Sequence, residues 1–124
     1  MLEKHQVYKC EECGNVIAVL NSGGPPLKCC DQRMVLQEEK TSDQGMEKHL
    51  PVVETMDKRA KVKVGSVPHP MEQEHYIQWI ETVTDEGVSR KYLNPGEAPE
   101  KTFCVKEGMT VRAYCNLHGM WSQK

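Results

Sequence analysis

The sequence predicts a mainly β protein in two unequal parts, a short metal-dependent module over residues 1–37 and a β-sandwich or small barrel over residues 38–124. Three observations carry this expectation. Four of the six cysteines fall within the first 30 residues, while Cys104 and Cys115 lie near the end. The stretch "QEEKTSDQGMEKH" that follows the first four is polar and reads as a linker. Beyond Leu50 the chain is a series of β-branched and aromatic runs separated by turn-forming clusters, with no helical period.

The first module is turn-rich and poor in apolar residues, and "NSGGPP" breaks it in the middle. A piece this small cannot bury enough surface to fold alone and needs a metal or disulfides. In the second part "KVKVGSV" alternates with period two, the mark of a half-buried strand. "HYIQWIETVT", "TFCVKEG" and "MTVRAYC" supply further strands. "DEGVS", "NPGEAP" and "KEGM" supply the turns, at a spacing that suits a sandwich or small barrel. No repeat and no low-complexity tract is present.

Composition narrows the function classes. The formal net charge of the 124-residue chain is −2, so it lacks the global basic field of nucleic-acid binders. No apolar run reaches the 18 residues of a membrane span. The N-terminal "MLEKHQVYKCEECG" is charged from the second residue on and has no apolar signal core, so a cytoplasmic protein is expected. In that compartment stable disulfides are uncommon, and grouped cysteines more often hold metal or do redox work.

Cys10, Cys13, Cys29 and Cys30 form the first constellation, "CEEC" followed by "CC". The C-x-x-C spacing lets two thiolates converge on one ion from a tight turn, and Gly14 stands where that turn needs it. Adjacent Cα atoms are about 3.8 Å apart. That is shorter than the ~4.4–6.8 Å of ordinary disulfides, so a Cys29–Cys30 bridge would be strained. Both thiolates can instead share one tetrahedral ion. Zinc and iron both suit four sulfurs, and spacing does not decide between them.

His49, His69, His75, Cys115 and His118 form the second constellation. Four of the five histidines lie from the end of the linker onward, and "CNLHG" makes a C-x-x-H clip. Each histidine alone reads as a surface or core residue; with the clip, in so small a domain, a metal site is the better reading. Closed structural zinc is four-coordinate. A copper electron-transfer site needs two His, one Cys and a weak Met, which Met120 in "CNLHGM" could supply, but two histidines would then stand idle. Four imidazoles in a plane with one thiolate beneath suit iron and leave its sixth position open. A thiolate on the iron is also the device by which haem enzymes push electron density towards bound oxygen species.

Taken together, "YKCEECGNV…CC", "EKH", "GSVPHPMEQEHYIQWIE", "NPGEAPE" and "YCNLHG" resemble the desulfoferrodoxins, the two-iron superoxide reductases. The similarity spans almost the whole chain. It implies a desulforedoxin- or rubredoxin-like Fe(Cys)4 domain, then an immunoglobulin-like β-sandwich with an Fe(His)4Cys site. The first iron would take Cys10, Cys13, Cys29 and Cys30. The second would take His49, His69, His75 and His118 in its plane, with Cys115 axial. The resemblance also implies a cytoplasmic homodimer, superoxide as substrate and a rubredoxin-like electron donor. Glu47 and Lys48 match the glutamate and lysine that the family places before its first histidine, with catalytic roles. Met120 stands where many relatives have a second histidine after "HG", a position that is not a ligand.

The rival expectation is a non-catalytic electron-transfer protein, blue-copper-like or rubredoxin-like. Outside both clusters, Cys104 reads as a small buried strand residue and His5 as a surface residue. Tyr76, Trp79 and Ile80 read as core or site-wall residues.

Overall fold

The computed structural model describes residues 2–24, 26–41, 50–65 and 69–123, and every regular element among them is a β-strand. The chain divides into two units, Met1–Glu38 and Glu39–Lys124.

The first unit is built from very short strands, as its scarcity of apolar residues requires. β1 (Val7–Lys9) lies between β2 (Val16–Ala18) and β5 (Val35–Leu36) in an antiparallel sheet. β3 (Lys28–Cys29) and β4 (Gln32–Arg33) form a separate hairpin. Its two loop residues, Cys30 and Asp31, have φ of +53° and +59°. Positive φ at both central positions is the type I′ turn, which matches the twist of a two-residue hairpin. The buried apolar set of this unit is Val7, Val19 and Cys10, while Leu20 is 79% exposed. Hydrophobic burial is therefore a minor contributor here. His5, expected at the surface, is half-buried.

In the second unit the alternation of "RAKVKV" has its expected result. In β7 (Arg59–Val64) Ala60, Val62 and Val64 are buried, while Arg59 and Lys61 are exposed and Lys63 is half-buried. β7 pairs with β6 (Pro51–Met56) and β10 (Glu100–Cys104) in a three-stranded antiparallel sheet. The second sheet has the order β12 (Gly119–Gln123), β11 (Thr110–Cys115), β8 (Ile77–Thr84) and β9 (Gly87–Tyr92). Val62, Val64 and Phe103 of the first sheet meet Ile77, Ile80, Val111, Ala113 and Cys115 of the second in one core. Three- and four-stranded antiparallel sheets closed over such a core make an immunoglobulin-like sandwich.

Two departures from plain alternation shape this unit. A register shift in the β8–β11 pairing sets Tyr114 opposite Trp79 but Cys115 opposite Ile77, so Gln78 is the extra residue of a β-bulge. The bulge lets Ile77 and Ile80, three apart, both enter the core. In β10 Phe103 takes the inward place opposite Ala60, so the next residue, Cys104, points outward opposite Arg59. Cys104 is thus exposed, not the buried strand residue expected of it.

The outer face of the four-stranded sheet carries a buried charge network. Glu81 is fully buried and accepts hydrogen bonds from Trp79 Nε1 (3.1 Å), Arg112 Nη2 (2.9 Å) and Arg90 Nη2 (2.8 Å). Arg90 and Arg112 are its partners on either side in the strand register. The Trp79 ring also stacks on Tyr114, with centroids 4.4 Å apart and planes 5° from parallel. Removing one partner of a buried ion pair leaves a charge without its counter-ion, at a cost of about 3–5 kcal/mol. Glu81→Ala is therefore expected to lower unfolding stability by about that amount in denaturant titration. A loss under about 1 kcal/mol would show that the two arginines are satisfied without Glu81.

Candidate metal centres

Local turns assemble the first cluster. Cys10 follows β1, its N–H donates to Asn15 O (2.8 Å), and its carbonyl accepts from Gly14 N–H (2.9 Å). Gly14 has φ of +83°, a conformation that residues with a Cβ rarely adopt, and this closes the loop carrying Cys10 and Cys13. Cys29 ends β3, and Cys30 turns back through its left-handed backbone. The Cys13 and Cys29 sulfurs are 3.5 Å apart and those of Cys29 and Cys30 are 3.9 Å apart. All four sulfurs lie within 4.8 Å of one another. A tetrahedron of metal–sulfur bonds of about 2.3 Å has edges of about 3.8 Å, so the space between the sulfurs fits one tetrathiolate ion.

The thiols do not ionise alike. Backbone N–H groups, that of Cys13 foremost and that of Glu12 next, draw Cys10 down to about 7 against the effect of burial. The neighbouring thiols of Cys13, Cys29 and Cys10 push Cys30 up to about 12, and Cys29 is raised for the same reason. Four thiolates cannot coexist at these separations without a cation to offset their repulsion.

The second cluster joins three chain segments at one end of the sandwich. Cys115 ends β11, fully buried at the edge of the core. His118 follows in the turn to β12, with Nδ1 3.7 Å from Cys115 Sγ. His69 follows β7, its N–H bonded to Val64 O (3.2 Å). His75 closes a tight turn through reciprocal backbone bonds with Glu72 (2.9 and 3.1 Å) and leads into β8. One donor atom from each of His69, His75, Cys115 and His118 lies within 4.8 Å of the others. The rings stand edge to face, with His69–His75 centroids 4.8 Å apart at 81° and His75–His118 centroids 5.0 Å apart at 72°.

Protonation also suits a metal. His69 Nδ1 is 2.7 Å from the Pro70 carbonyl, which can only accept, so Nδ1 carries the proton and Nε2 has the lone pair. His75 Nε2 is buried and has no hydrogen-bond partner among the described residues, a cost that a bound cation would remove. Burial pushes the Cys115 thiol up, while the backbone N–H groups of His118 and Leu117 and the charge of Lys40 pull it down.

Eight of the nine residues expected as ligands thus fall into two separate clusters, each able to hold a metal ion. The ninth, His49, lies outside the described residues, as do Glu47 and Lys48. Tyr114 and Met120 are register partners, so Met120 lies on the sheet face opposite to Cys115. The Cys–His–Met arrangement of a blue-copper site is therefore not formed. Ile80 is core and Trp79 packs on Tyr114, as expected.

Asn116 is a residue whose part the sequence did not suggest. Its Oδ1 accepts from Tyr76 N–H (3.0 Å), its Nδ2 donates to Glu74 O (3.0 Å), and its own N–H donates to Tyr76 O (3.2 Å). It clamps the residues on both sides of His75 to the loop between Cys115 and His118. Its position inside "CNLHG" was the one available signal, and nothing local distinguishes a clamp there from a solvated turn residue.

Comparison with known proteins agrees with this geometry. The sequence pattern of the desulfoferrodoxin family matches residues 41–124, and that of the desulfoferrodoxin N-terminal domain matches residues 2–37. The chain is 53% identical over 123 residues to a desulfoferrodoxin of Nitratidesulfovibrio vulgaris, covering 98% of this chain and 97% of the other. It is 52% identical over 122 residues to a desulfoferrodoxin homolog of Archaeoglobus fulgidus, covering 98% of each. Among solved structures, the superoxide reductase from Treponema pallidum aligns with a TM-score of 0.78 and 35% identity, over 96% of this chain and 97% of that one. The one-iron superoxide reductase from Giardia intestinalis aligns with a TM-score of 0.55 and 32% identity, over 62% of this chain and 95% of its own. With both units matched by the two parts of one family, and with relatives half identical from end to end, the chain belongs to the desulfoferrodoxin family.

Proposed function

We propose that the protein is a superoxide reductase, which takes one superoxide anion, one electron from a donor protein and two protons, and releases hydrogen peroxide. The observation that carries this is the convergence of His69, His75, Cys115 and His118 at one end of the sandwich. A sandwich of the same kind forms superoxide reductases in Treponema pallidum and Giardia intestinalis. His49 completes the set as the fourth imidazole. Leu50, next in sequence, is tied by its carbonyl to Gly65 N–H (3.1 Å), in the same loop region as His69. Ferrous iron held by these five residues would supply the electron to a small anion.

The chain's own residues prepare that chemistry. The Pro70 carbonyl fixes His69 in the tautomer that presents Nε2. Burial raises the Cys115 thiol, and the backbone N–H groups of His118 and Leu117 offset part of that rise. Asn116 holds His75 against the Cys115–His118 loop. Lys48 would attract the anion, and Glu47 would supply a carboxylate to the same site once superoxide has reacted. Cys10, Cys13, Cys29 and Cys30 hold a second iron. The reading further includes a homodimer, a cytoplasmic location and a rubredoxin-like donor. Among the described residues no helix is long and apolar enough to cross a membrane.

Metal analysis with anaerobic assay tests the whole reading. Two irons per chain, and one peroxide per superoxide without dioxygen release, are expected. Dioxygen release would indicate a dismutase, and one copper with an intense blue band would replace the reading with electron transfer.

Three mutations test its parts. Because the two clusters belong to different units, Cys13→Ser should remove the tetrathiolate iron and leave superoxide reduction in place. Loss of activity in a mutant that keeps its other iron would refute the independence of the centres. Asn116→Ala should weaken metal binding at the histidine–cysteine site about 10- to 100-fold in chelator competition, the usual effect of removing a group that orients ligands. Unchanged affinity would make Asn116 a turn residue only.

Lys48→Ala should slow the reaction with superoxide about 3- to 100-fold. A unit charge pair ~6 Å apart is worth about 0.7 kcal/mol at a water-like dielectric and about 3 kcal/mol at an effective value near 20. The wild-type rate should fall as salt rises, and the mutant rate should fall less. Stopped-flow rates at two ionic strengths decide this, and equal rates at low salt would return Lys48 to the solvated surface.

A further inference from the structure

Lys40 is fastened at three points beside the loop that carries Cys115 and His118. Its backbone is bridged to the edge of β12, with Lys40 N–H to Met120 O (3.0 Å) and Ser122 N–H to Lys40 O (2.9 Å). Its ammonium Nζ donates to the backbone carbonyl of His118 (2.8 Å). The same Nζ lies 5.0 Å from the ring centroid of Trp121, within cation–π range. A lysine on an exposed segment ordinarily leaves its head group in water. Here the stem turns back, and the charge rests on the carbonyl of one candidate ligand.

We propose that Lys40 is a positioning residue that tunes the histidine–cysteine centre, holding the Cys115–His118 loop closed and placing a fixed positive charge beside it. This inference rests on the iron reading given above. Oxidation of a bound ferrous ion adds one positive charge to the site. A neighbouring fixed cation disfavours that added charge, so Lys40 raises the reduction potential. That keeps the centre reduced between encounters with substrate, and it does not require Lys40 to touch superoxide or to change its protonation.

Charge and hydrogen bond are separable by substitution. Lys40→Gln keeps a donor for the His118 carbonyl and removes the charge; Lys40→Arg keeps both; Lys40→Met keeps neither. The measurement is a redox titration of the iron-loaded protein, followed through the visible sulfur-to-iron band of the histidine–cysteine centre. Lys40→Gln and Lys40→Met should shift the reduction equilibrium about three- to tenfold towards the oxidised form, tenfold being about 59 mV for one electron. Lys40→Arg should stay within about twofold of wild type. The difference between Lys40→Gln and wild type should shrink as salt rises, because the charge is partly exposed. Equal potentials in wild type and Lys40→Gln would overturn the proposal. So would a Lys40→Arg shift as large as that of Lys40→Gln, which would leave geometry alone as the cause. A wild-type protein with no one-electron couple in this band would instead overturn the iron reading.

Discussion

Bringing several electron-rich donor atoms within 4.8 Å of one another is the constraint on which this molecule depends. Four sulfurs at such distances resist ionisation together, as the raised thiols of Cys29 and Cys30 show. An imidazole nitrogen shut away from water with no partner among the described residues, as at His75, is costly in the same way. A bound cation removes both penalties at once, and its binding energy then becomes folding energy. The two units meet this constraint by different means. The first has few buried apolar residues and shapes its site with two tight turns, one at Gly14 and one at Cys30–Asp31. The second forms a sandwich with a full core and places its donors at one end of it.

That placement ties the site to the core. Cys115 belongs to both, as the last buried residue of β11 and as the candidate thiolate. Ile77, its partner across the bulge, is two residues from His75. Packing that fixes Ile77 and Cys115 thereby limits where the flanking histidines can lie. Close-packed interiors transmit small displacements instead of absorbing them. A well-packed core is thus a means of holding donor geometry as well as a source of stability. The buried network around Glu81 acts from the other face of the same strands, fixing β8, β9 and β11 in register.

Local charge matters more here than the net value. A chain of net charge −2 is mildly unfavourable to an anionic substrate at long range. Within a Debye length, individual cations dominate. Lys40 reaches the His118 carbonyl from the strand edge. Lys48, by its place in the sequence, belongs next to a candidate ligand. In the proposed reading one cation acts on the metal's own electrons and the other on the approaching anion.

Features that depend on neighbours in the chain were legible in the sequence. The cysteine spacing, the turn at Gly14, the alternation of β7 and the turns between strands all follow from local backbone geometry, and all appear in the structure. Features that depend on which strand lies opposite were not legible. Cys104 faces outward because Phe103 takes the inward place against Ala60. Met120 lies on the opposite face from Cys115 because it is the partner of Tyr114. The bulge at Gln78 resets the phase of β8 through its pairing with β11. Asn116 and Lys40 bond to residues 40 and 78 positions away in sequence, contacts that no local pattern encodes. By itself the sequence determined which residue types could gather at a metal and which segments would be extended. Tertiary pairing decided which way each side chain faces, because in a strand one residue of register exchanges inside for outside.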